Sequence, residues 1–183
     1  MRIILASASP RRQELLKGLF ADFEIIVSNC DENESGEPIE FVKKVSLKKA
    51  ISINEDADLI IAADTIVVYD NKIIGKPADE LDAIRTLTLL SGKMHQVHTG
   101  VTLLYKDNNE LKHLTFCETS NVFFKKMNLD EIKSYVATGS PLDKAGSYGI
   151  QDGVVDKYEG SYTNIVGLPV EKLEQALKTI KIL

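Results

Sequence analysis

The sequence predicts a mixed α/β (α+β) domain in which helices flank one mixed sheet. Two observations support this. Strand and helix patterns alternate in the first half of the chain, and residues 95–124 form a long hairpin pattern rich in Val, Thr and Phe. The 183 residues are enough for one sizeable core. A single domain over residues 1–183 is therefore expected.

In the first half of the chain, apolar periodicity and turn residues define the elements. Pro10 suits the first turn of a helix, where a missing N–H costs nothing, and Asp70-Asn71 suits a tight hairpin turn. The predicted strands cover residues 2–6, 23–28, 58–69 and 73–75, and the predicted helices cover residues 10–20, 38–54 and 79–90.

The second half begins with the long hairpin. Its strands cover residues 95–105 and 111–124, and its turn is Asp107-Asn108-Asn109. A short helix follows over residues 128–137. Residues 139–169 contain irregularly spaced glycines and predict a long loop, which is usually functional inside a compact domain. A C-terminal helix begins at Pro169.

Composition narrows the class of function. The 22 basic and 27 acidic residues give a formal net charge of −5, which argues against a nucleic-acid-binding surface and leaves a local pocket for any polyanion. No stretch is apolar enough to cross a bilayer, and the N-terminus lacks a signal-peptide pattern. Cys30 and Cys117 have neither disulfide-framework nor metal-site spacing, so they are expected to be structural in a reducing cytoplasm.

The segment from Leu5 to Arg12 joins an apolar strand to a helix start that carries hydroxyls and two guanidinium groups. Ser9 can cap the helix, and the free amides at the helix N-terminus attract anions. Arg11 and Arg12 add planar donors that suit phosphate oxygens. Taken alone, the segment more often marks an ordinary helix start with both arginines in solvent.

Asp64 interrupts an apolar strand pattern, where an unpaired carboxylate would cost several kcal/mol. It needs a partner, and a divalent cation is a good one; the alternatives are an exposed strand end or a paired lysine. Glu32 follows the second strand. If Glu32 faces Asp64, the two carboxylates could hold Mg²⁺, whereas an acid in such a loop is ordinarily just solvated.

Three lysines have surroundings that permit ligand binding, although each taken singly is typical of a solvated surface. Lys49 ends a helical lysine series, Gly75 and Pro77 fix the backbone around Lys76, and small residues follow Lys144. The glycine-rich phosphate loops of kinases, GTPases and dinucleotide enzymes are missing from the sequence.

The histidines do not predict a metal site. His95 and His98 are three residues apart on a predicted strand, which places them on opposite faces. His113 is expected on the surface of the hairpin. No serine or cysteine has a motif that marks a nucleophile.

Six motifs, taken together and in order, resemble the Maf family of nucleoside triphosphate pyrophosphatases nearly end to end. They are Ser7-Ala8-Ser9-Pro10-Arg11-Arg12, Ala63-Asp64-Thr65, Gly75-Lys76-Pro77, Thr99-Gly100-Val101, the stretch from Asp143 to Gln151 and the stretch from Gly160 to Pro169.

The resemblance implies an elongated, inosine triphosphate pyrophosphatase-like fold with a nucleotide cleft between two lobes. It also implies cleavage between the α- and β-phosphates with Mg²⁺ or Mn²⁺, a homodimer, and Asp64 as the catalytic proton acceptor. With the phosphate-binding segment included, the candidate substrate-binding residues are Ser7, Ser9, Arg11, Arg12, Lys49, Thr65, Lys76, Lys144 and Gln151, and the candidate metal ligands are Asp64 and Glu32.

Arg11, Thr65 and Gln151 stand at the positions that separate the family's two main branches. This chain is similar to the branch that acts on dTTP and UTP, whereas the 7-methyl-GTP branch tends to have Trp, Gln and Glu there. An amide such as that of Gln151 can both donate to and accept from a pyrimidine edge.

Two residues depart from the family's pattern. Ser140 stands where the family often has Glu, and Asp152 stands where Gly is frequent. Both departures bear on base preference more than on chemistry. The alternative functions are a non-catalytic nucleotide-binding regulator of septum formation and a housecleaning pyrophosphatase for modified nucleotides.

Overall fold

The structure is a computed structural model that describes residues 1–108 and 110–183. Within these residues, seven strands form one sheet. The strands are β1 (Ile3–Leu5), β2 (Glu24–Ile25), β3 (Leu59–Tyr69), β4 (Lys72–Ile74), β5 (Met94–Asp107), β6 (Glu110–Phe124) and β7 (Val155–Glu159). The helices are α1 (Pro10–Lys17), α2 (Pro38–Ile51), α3 (Glu80–Leu90), α4 (Leu129–Ala137), α5 (Tyr162–Val166) and α6 (Val170–Thr179).

The sheet mixes parallel and antiparallel pairs, as predicted. The strand order is β2-β1-β3-β5-β6-β7, and β4 pairs with β3 as a hairpin. β1 is parallel to both β2 and β3, because α1 and α2 supply the crossover connections between them. The remaining pairs are antiparallel.

Helices cover both faces of the sheet. On one face, α1 and α6 pack on side chains such as Leu5, Ile61 and Leu103, all fully buried. On the opposite face, α2 packs on Ile4 and Ile60. The alternation of these side chains along β1 and β3 is the period of two that a strand buried on both faces requires.

A second apolar cluster shares the face of α1 and α6 but lies further along β3. It joins Val67 to Leu87 of α3 and Ile132 of α4. Thr65 lies on β3 between the two clusters, on the same face by alternation. This face of the sheet thus carries two packed regions, with Thr65 of β3 between them.

One edge of β3 is open between two neighbouring strands. β1 pairs with residues 59–61 and β4 with residues 67–69. Within the described residues, no strand pairs with residues 62–66 on this edge. Side chains from both faces can reach the opening, and Asp64 and Thr65 point to opposite faces of the strand.

Most predicted elements are confirmed, with ends that differ by a few residues: several helices are shorter than predicted, and the two strands of the long hairpin are longer. The helix predicted over 10–20 ends at Lys17, and the strand predicted over 23–28 is reduced to the exposed edge pair Glu24–Ile25. Asp70 and Asn71 have φ values of 50° and 58°, as a two-residue hairpin turn requires. The turn predicted for the long hairpin includes residue 109, which lies outside the described residues.

The prediction of one long loop over 139–169 is wrong. The segment contains 3₁₀ turns (Ser140–Asp143, Ala145–Ser147, Ile150–Asp152), strand β7 and helix α5. Hydrophobic periodicity does not reveal these elements, because β7 is largely exposed and α5 has a single turn. That turn is capped by the Ser161 side chain, which accepts a hydrogen bond from the backbone N–H of Asn164. In the part of the chain described, no helix combines the length and the apolar character that crossing a bilayer requires.

Candidate active site

A cleft of about 580 Å³ opens at the unpaired edge of β3. All of the residues predicted to bind substrate or metal line it, although they come from six separate parts of the chain. These residues are Ser7, Ser9, Arg11, Arg12, Glu32, Lys49, Asp64, Thr65, Lys76, Lys144 and Gln151.

The N-terminus of α1 forms one wall of the cleft. Ser9 caps the helix, because its hydroxyl oxygen accepts a hydrogen bond from the backbone N–H of Arg12 at 3.4 Å. The hydroxyl of the buried Ser7 accepts from the backbone N–H of Ser9 at 3.3 Å. These two hydroxyls shape the turn that aims the helix N-terminus, and its positive dipole end, at the cleft.

Arg12 joins three parts of the cleft floor. Its Nε donates to the Gly167 carbonyl at 2.8 Å, and its other nitrogens donate to Thr65 Oγ1 at 3.0 Å and Ser7 Oγ at 3.3 Å. Burial lowers the pKa of the guanidinium below its usual value, and the negative charge of Asp64 opposes that shift. Arg12 therefore adds positive charge to the floor while its donors hold protein groups.

Arg11 is differently placed from its neighbour. Its guanidinium forms one ion pair, with the exposed carboxylate of Asp143 at 3.1 Å. Asp143 also pairs with Lys144 at 2.9 Å, so one exposed acid connects two cations of the cleft. Burial raises the pKa of Asp143, but its bonds to Lys144 and Arg11 outweigh that effect and lower the pKa below 3.8.

Asp64 has Lys49 as its partner. The Lys49 ammonium donates to Asp64 Oδ1 at 2.8 Å, and both side chains are nearly buried. The same ammonium lies 3.2 Å from the more exposed carboxylate of Glu32. The structure thus brings Glu32 and Asp64 together as hypothesised, on either side of a lysine. Within the described residues, no three acids, histidines or cysteines cluster as a metal site.

Close packing of α2 on the sheet explains this ion pair. Gly100 lies opposite Asp64 on β5, and a Cβ at Gly100 would overlap the backbone carbonyl of Val42 in α2. The missing side chain lets α2 approach the sheet, which brings Lys49 down to the carboxylate.

Lys76 and Gln151 lie at the exposed rim of the cleft. Lys76 has no ion pair with any residue that the structure describes. The Thr65 side chain is held in place by two hydrogen bonds of its hydroxyl, one from Arg12 and one, at 2.9 Å, with the buried hydroxyl of Thr99.

The structure places His113 on the surface of the hairpin, as predicted. Both cysteines are unpaired and half-buried. Burial raises the pKa of the Cys117 thiol to about 11, which disfavours the reactive thiolate.

Comparison with known proteins assigns the family. A family model described as Maf-like protein matches residues 2–180. The chain belongs to the Maf family. Three relatives named dTTP/UTP pyrophosphatase are similar to it. One from Thermosipho africanus is 51% identical, covering 94% of this chain and 90% of the relative. One from Clostridium beijerinckii is 46% identical and covers 99% and 100%. One from Bacillus cereus is 44% identical and covers 99% and 96%.

The fold of this Maf chain also has a counterpart among solved structures. The Ham1 protein of Staphylococcus aureus superposes with a TM-score of 0.50 at 16% sequence identity, covering 99% of this chain and all of the other. This likeness confirms the predicted inosine triphosphate pyrophosphatase-like fold.

Several cleft residues of the Maf chain were not singled out from sequence. Tyr148 lines the cleft, and its hydroxyl pairs with the buried His95 at 2.8 Å. Asn164 supports the floor through its carbonyl, which accepts from Thr99 at 3.1 Å. Tyr148 and Asn164 lie inside two of the six motifs, but nothing in their spacing distinguishes a cleft residue from a core residue.

Proposed function

We propose that this Maf chain hydrolyses dTTP and UTP between the α- and β-phosphates, releasing pyrophosphate and the nucleoside monophosphate. The relatives named for this activity cover almost the whole chain. The observation that carries the proposal is the composition of the cleft. One nearly buried carboxylate, Asp64, shares its walls with a helix N-terminus and with five cationic side chains, those of Arg11, Arg12, Lys49, Lys76 and Lys144.

The cations suit a triphosphate. Phosphoryl transfer is catalysed mostly by positioning and by neutralising charge on the phosphate oxygens. Arg11, Lys76 and Lys144 come from different elements, so their donors can surround a polyphosphate instead of lying along one side of it. In this role they stabilise both the bound substrate and the charge that the departing pyrophosphate acquires.

Asp64 is the proton acceptor in this proposal. Its Oδ1 accepts from Lys49, while Oδ2 has no donor among the residues described. The free oxygen is available to orient a water and accept its proton as the water attacks the α-phosphorus.

The same carboxylates fit a divalent cation. The Lys49 ammonium, 3.2 Å from Glu32 and 2.8 Å from Asp64, holds the two carboxylates near each other. Two carboxylates supplemented by waters and phosphate oxygens form a donor set that suits Mg²⁺. We propose that they hold Mg²⁺ or Mn²⁺, which supplies charge neutralisation and a more acidic bound water.

Gln151 and Thr65 are proposed to contact the nucleoside. The exposed amide of Gln151 at the rim can donate to and accept from a pyrimidine edge. Thr65 is held in one orientation by Arg12 and Thr99.

A cytoplasmic location is part of the proposal, given the two unpaired cysteines, and so is the homodimer that the family resemblance implies.

The substitution Asp64→Asn tests the proposal. We expect turnover of dTTP and UTP, measured as pyrophosphate released with Mg²⁺ present, to fall by about 10²–10⁴-fold, the usual contribution of a general base. The protein should stay folded, because Lys49 keeps Glu32 at 3.2 Å. Asp156→Asn, which changes an exposed acid outside the cleft, is the matched control and should match the wild type. Wild-type turnover by a folded Asp64→Asn variant would remove the assignment.

A panel of nucleotides separates the alternatives. Binding without any turnover would favour the regulator of septum formation, and faster turnover of inosine or other modified nucleotides would favour the housecleaning enzyme. We expect dTTP and UTP to be the best substrates.

A further inference from the structure

The two residues that depart from the family's pattern are in contact. Ser140 Oγ donates to Asp152 Oδ2 at 2.7 Å. The hydroxyl of Tyr135, at the end of α4, donates to the same oxygen at 2.6 Å. One carboxylate oxygen therefore joins α4 to two separate turns of the segment that follows it.

The contacts continue from this carboxylate towards both ends of the cleft. On one side, the Lys144 ammonium donates to Ser140 Oγ at 3.1 Å and to the Ser140 carbonyl. On the other side, the backbone N–H of Gly149 donates to the Tyr135 hydroxyl at 3.1 Å. A chain of hydrogen bonds thus runs from a proposed phosphate-binding lysine to the turn that carries Gln151.

Gly149 makes room for the two side chains that follow it. A Cβ built on Gly149 would lie 2.8 Å from Asp152 Oδ2 and 3.1 Å from Gln151 Nε2. Both side chains thus fold back over the Gly149 backbone. The Asp152 carboxylate, through the Tyr135 hydroxyl and the backbone N–H of Gly149, holds the turn on which Gln151 stands.

The environment holds Asp152 in its charged form. Burial disfavours the charged carboxylate, but the hydrogen bonds from Tyr135 and Ser140 and the charge of Lys144 outweigh burial and lower the pKa below 3.8. At neutral pH both hydroxyls therefore donate to an anion, and such bonds are about twice as strong as neutral ones.

We infer that Asp152 is a positioning residue for base selection, which fixes the turn that carries Gln151 and couples that turn to Lys144 without touching the nucleotide itself. The inference rests on the proposed function of the cleft. Its content is specific: removing the carboxylate weakens the preference for pyrimidine over purine triphosphates, because the turn that presents the Gln151 amide loses its anchor.

A merely structural role for Asp152 gives a different result. If the carboxylate only stabilised residues 140–153, its loss would lower the melting temperature and reduce activity on every nucleotide by the same factor. The ratio of activities on two bases is insensitive to the amount of folded protein, so it distinguishes the two roles.

The experiment compares Asp152→Ala with wild type on dTTP, UTP and dATP. We expect KM for dTTP and UTP to rise about tenfold with kcat nearly unchanged, and the pyrimidine-to-purine ratio of kcat/KM to fall by about tenfold, the effect of losing one hydrogen bond to a charged group. Tyr135→Phe, which removes the second donor, should lower the ratio in the same direction. Asp156→Ala, an exposed acid in the next strand, should leave the ratio unchanged.

A rescue variant tests whether the carboxylate itself is responsible. Ser140 Oγ lies 2.7 Å from Asp152 Oδ2, so a longer acidic side chain at position 140 can place an oxygen near the Tyr135 hydroxyl. Ser140→Glu in the Asp152→Ala background should restore most of the lost preference. The inference would be overturned if Asp152→Ala kept the wild-type pyrimidine-to-purine ratio of kcat/KM. It would also be overturned if that ratio fell and Ser140→Glu did not restore it.

Binding measurements separate this inference from the proposed function. The α,β-imido analogues of dUTP and dATP cannot be cleaved at the α–β bond, and their dissociation constants are measured by calorimetry for wild type and Asp152→Ala. Selective binding by a wild type that lacks turnover would remove the proposed function and leave the positioning role to be decided by the variant's ratio. If both proteins turn over nucleotides with the same pyrimidine-to-purine ratio, only the positioning role is removed. Equal affinity of the wild type for the two analogues would also remove the positioning role.

Discussion

The guanidinium of Arg12 joins α1, β3 and the turn before α6 through side-chain and backbone acceptors. Its neighbour Arg11 has one exposed partner, Asp143. The sequence presents two adjacent arginines of the same kind. Their different environments depend on Gly167, more than 150 positions away from Arg12, and no local pattern contains that information.

Arg11 is predicted to bind the polyphosphate, and Arg11→Ala tests this. A hydrogen bond to a charged group contributes about 1.5–3 kcal/mol, so kcat/KM for dTTP should fall by about 10–150-fold. Asp143→Ala is the companion variant, because it releases Arg11 from its ion pair without removing the guanidinium. Steady-state kinetics with equal values for Arg11→Ala and wild type would exclude Arg11 from substrate binding.

His95 is predicted to make stability pH-dependent. Burial lowers its pKa from 6.5 to about 4. Between these two pH values the unfolded chain binds a proton at this histidine and the folded chain does not. The free energy of unfolding should therefore decrease as pH falls from 6.5 and lose about 3 kcal/mol by about pH 4.

Chemical denaturation at several pH values measures this effect. In His95→Gln the contribution of this group to the pH dependence should disappear, whereas His113→Gln, at an exposed histidine, should behave like the wild type. Identical pH profiles for His95→Gln and wild type would show that burial does not lower the pKa of His95 in the folded protein.

At the scale of elements, strong apolar periodicity predicted the sheet, α2, α3 and the long hairpin. The segment after α4 was mispredicted as a loop because its elements are short and held by particular contacts. Examples are the Ser161 cap of α5 and the pairing of the exposed strand β7 with β6. Short elements of this kind have too few residues for a period to show.

Packing of α2 on β5 is predicted to depend on Gly100. In Gly100→Ala the added methyl group meets backbone atoms of Val42 and Lys43, so the helix must shift at a cost of about 1–3 kcal/mol, as in other overpacked cores. Gly75→Ala is the matched control, since a Cβ there has nothing within 4 Å.

Thermal unfolding and nucleotide turnover should both report this shift. Gly100→Ala should melt below the wild type and lose activity, since moving α2 also moves Lys49 away from Asp64, while Gly75→Ala should melt with the wild type. Equal melting temperatures for Gly100→Ala and wild type would show that the approach of α2 is not tight.

At the scale of the whole molecule, the sequence predicted which residues line the cleft, because the six motifs resemble those of a known family. It also predicted that Asp64 needs a partner, from the cost of an unpaired buried carboxylate. It could not decide whether that partner is a divalent cation or a lysine, and it could not show that the side chains of Ser140 and Asp152 are in contact. Both facts depend on how distant elements pack together.

The identity and isotope content of the reaction products test the proposed hydrolysis most directly. Wild-type protein is incubated with dTTP and Mg²⁺ in water enriched in ¹⁸O. The products are then separated, and their masses are measured by mass spectrometry. We predict equal amounts of dTMP and pyrophosphate, with one ¹⁸O in dTMP and none in pyrophosphate, because water attacks the α-phosphorus. Release of inorganic phosphate with dTDP, label in the pyrophosphate, or no turnover at all would contradict the proposal.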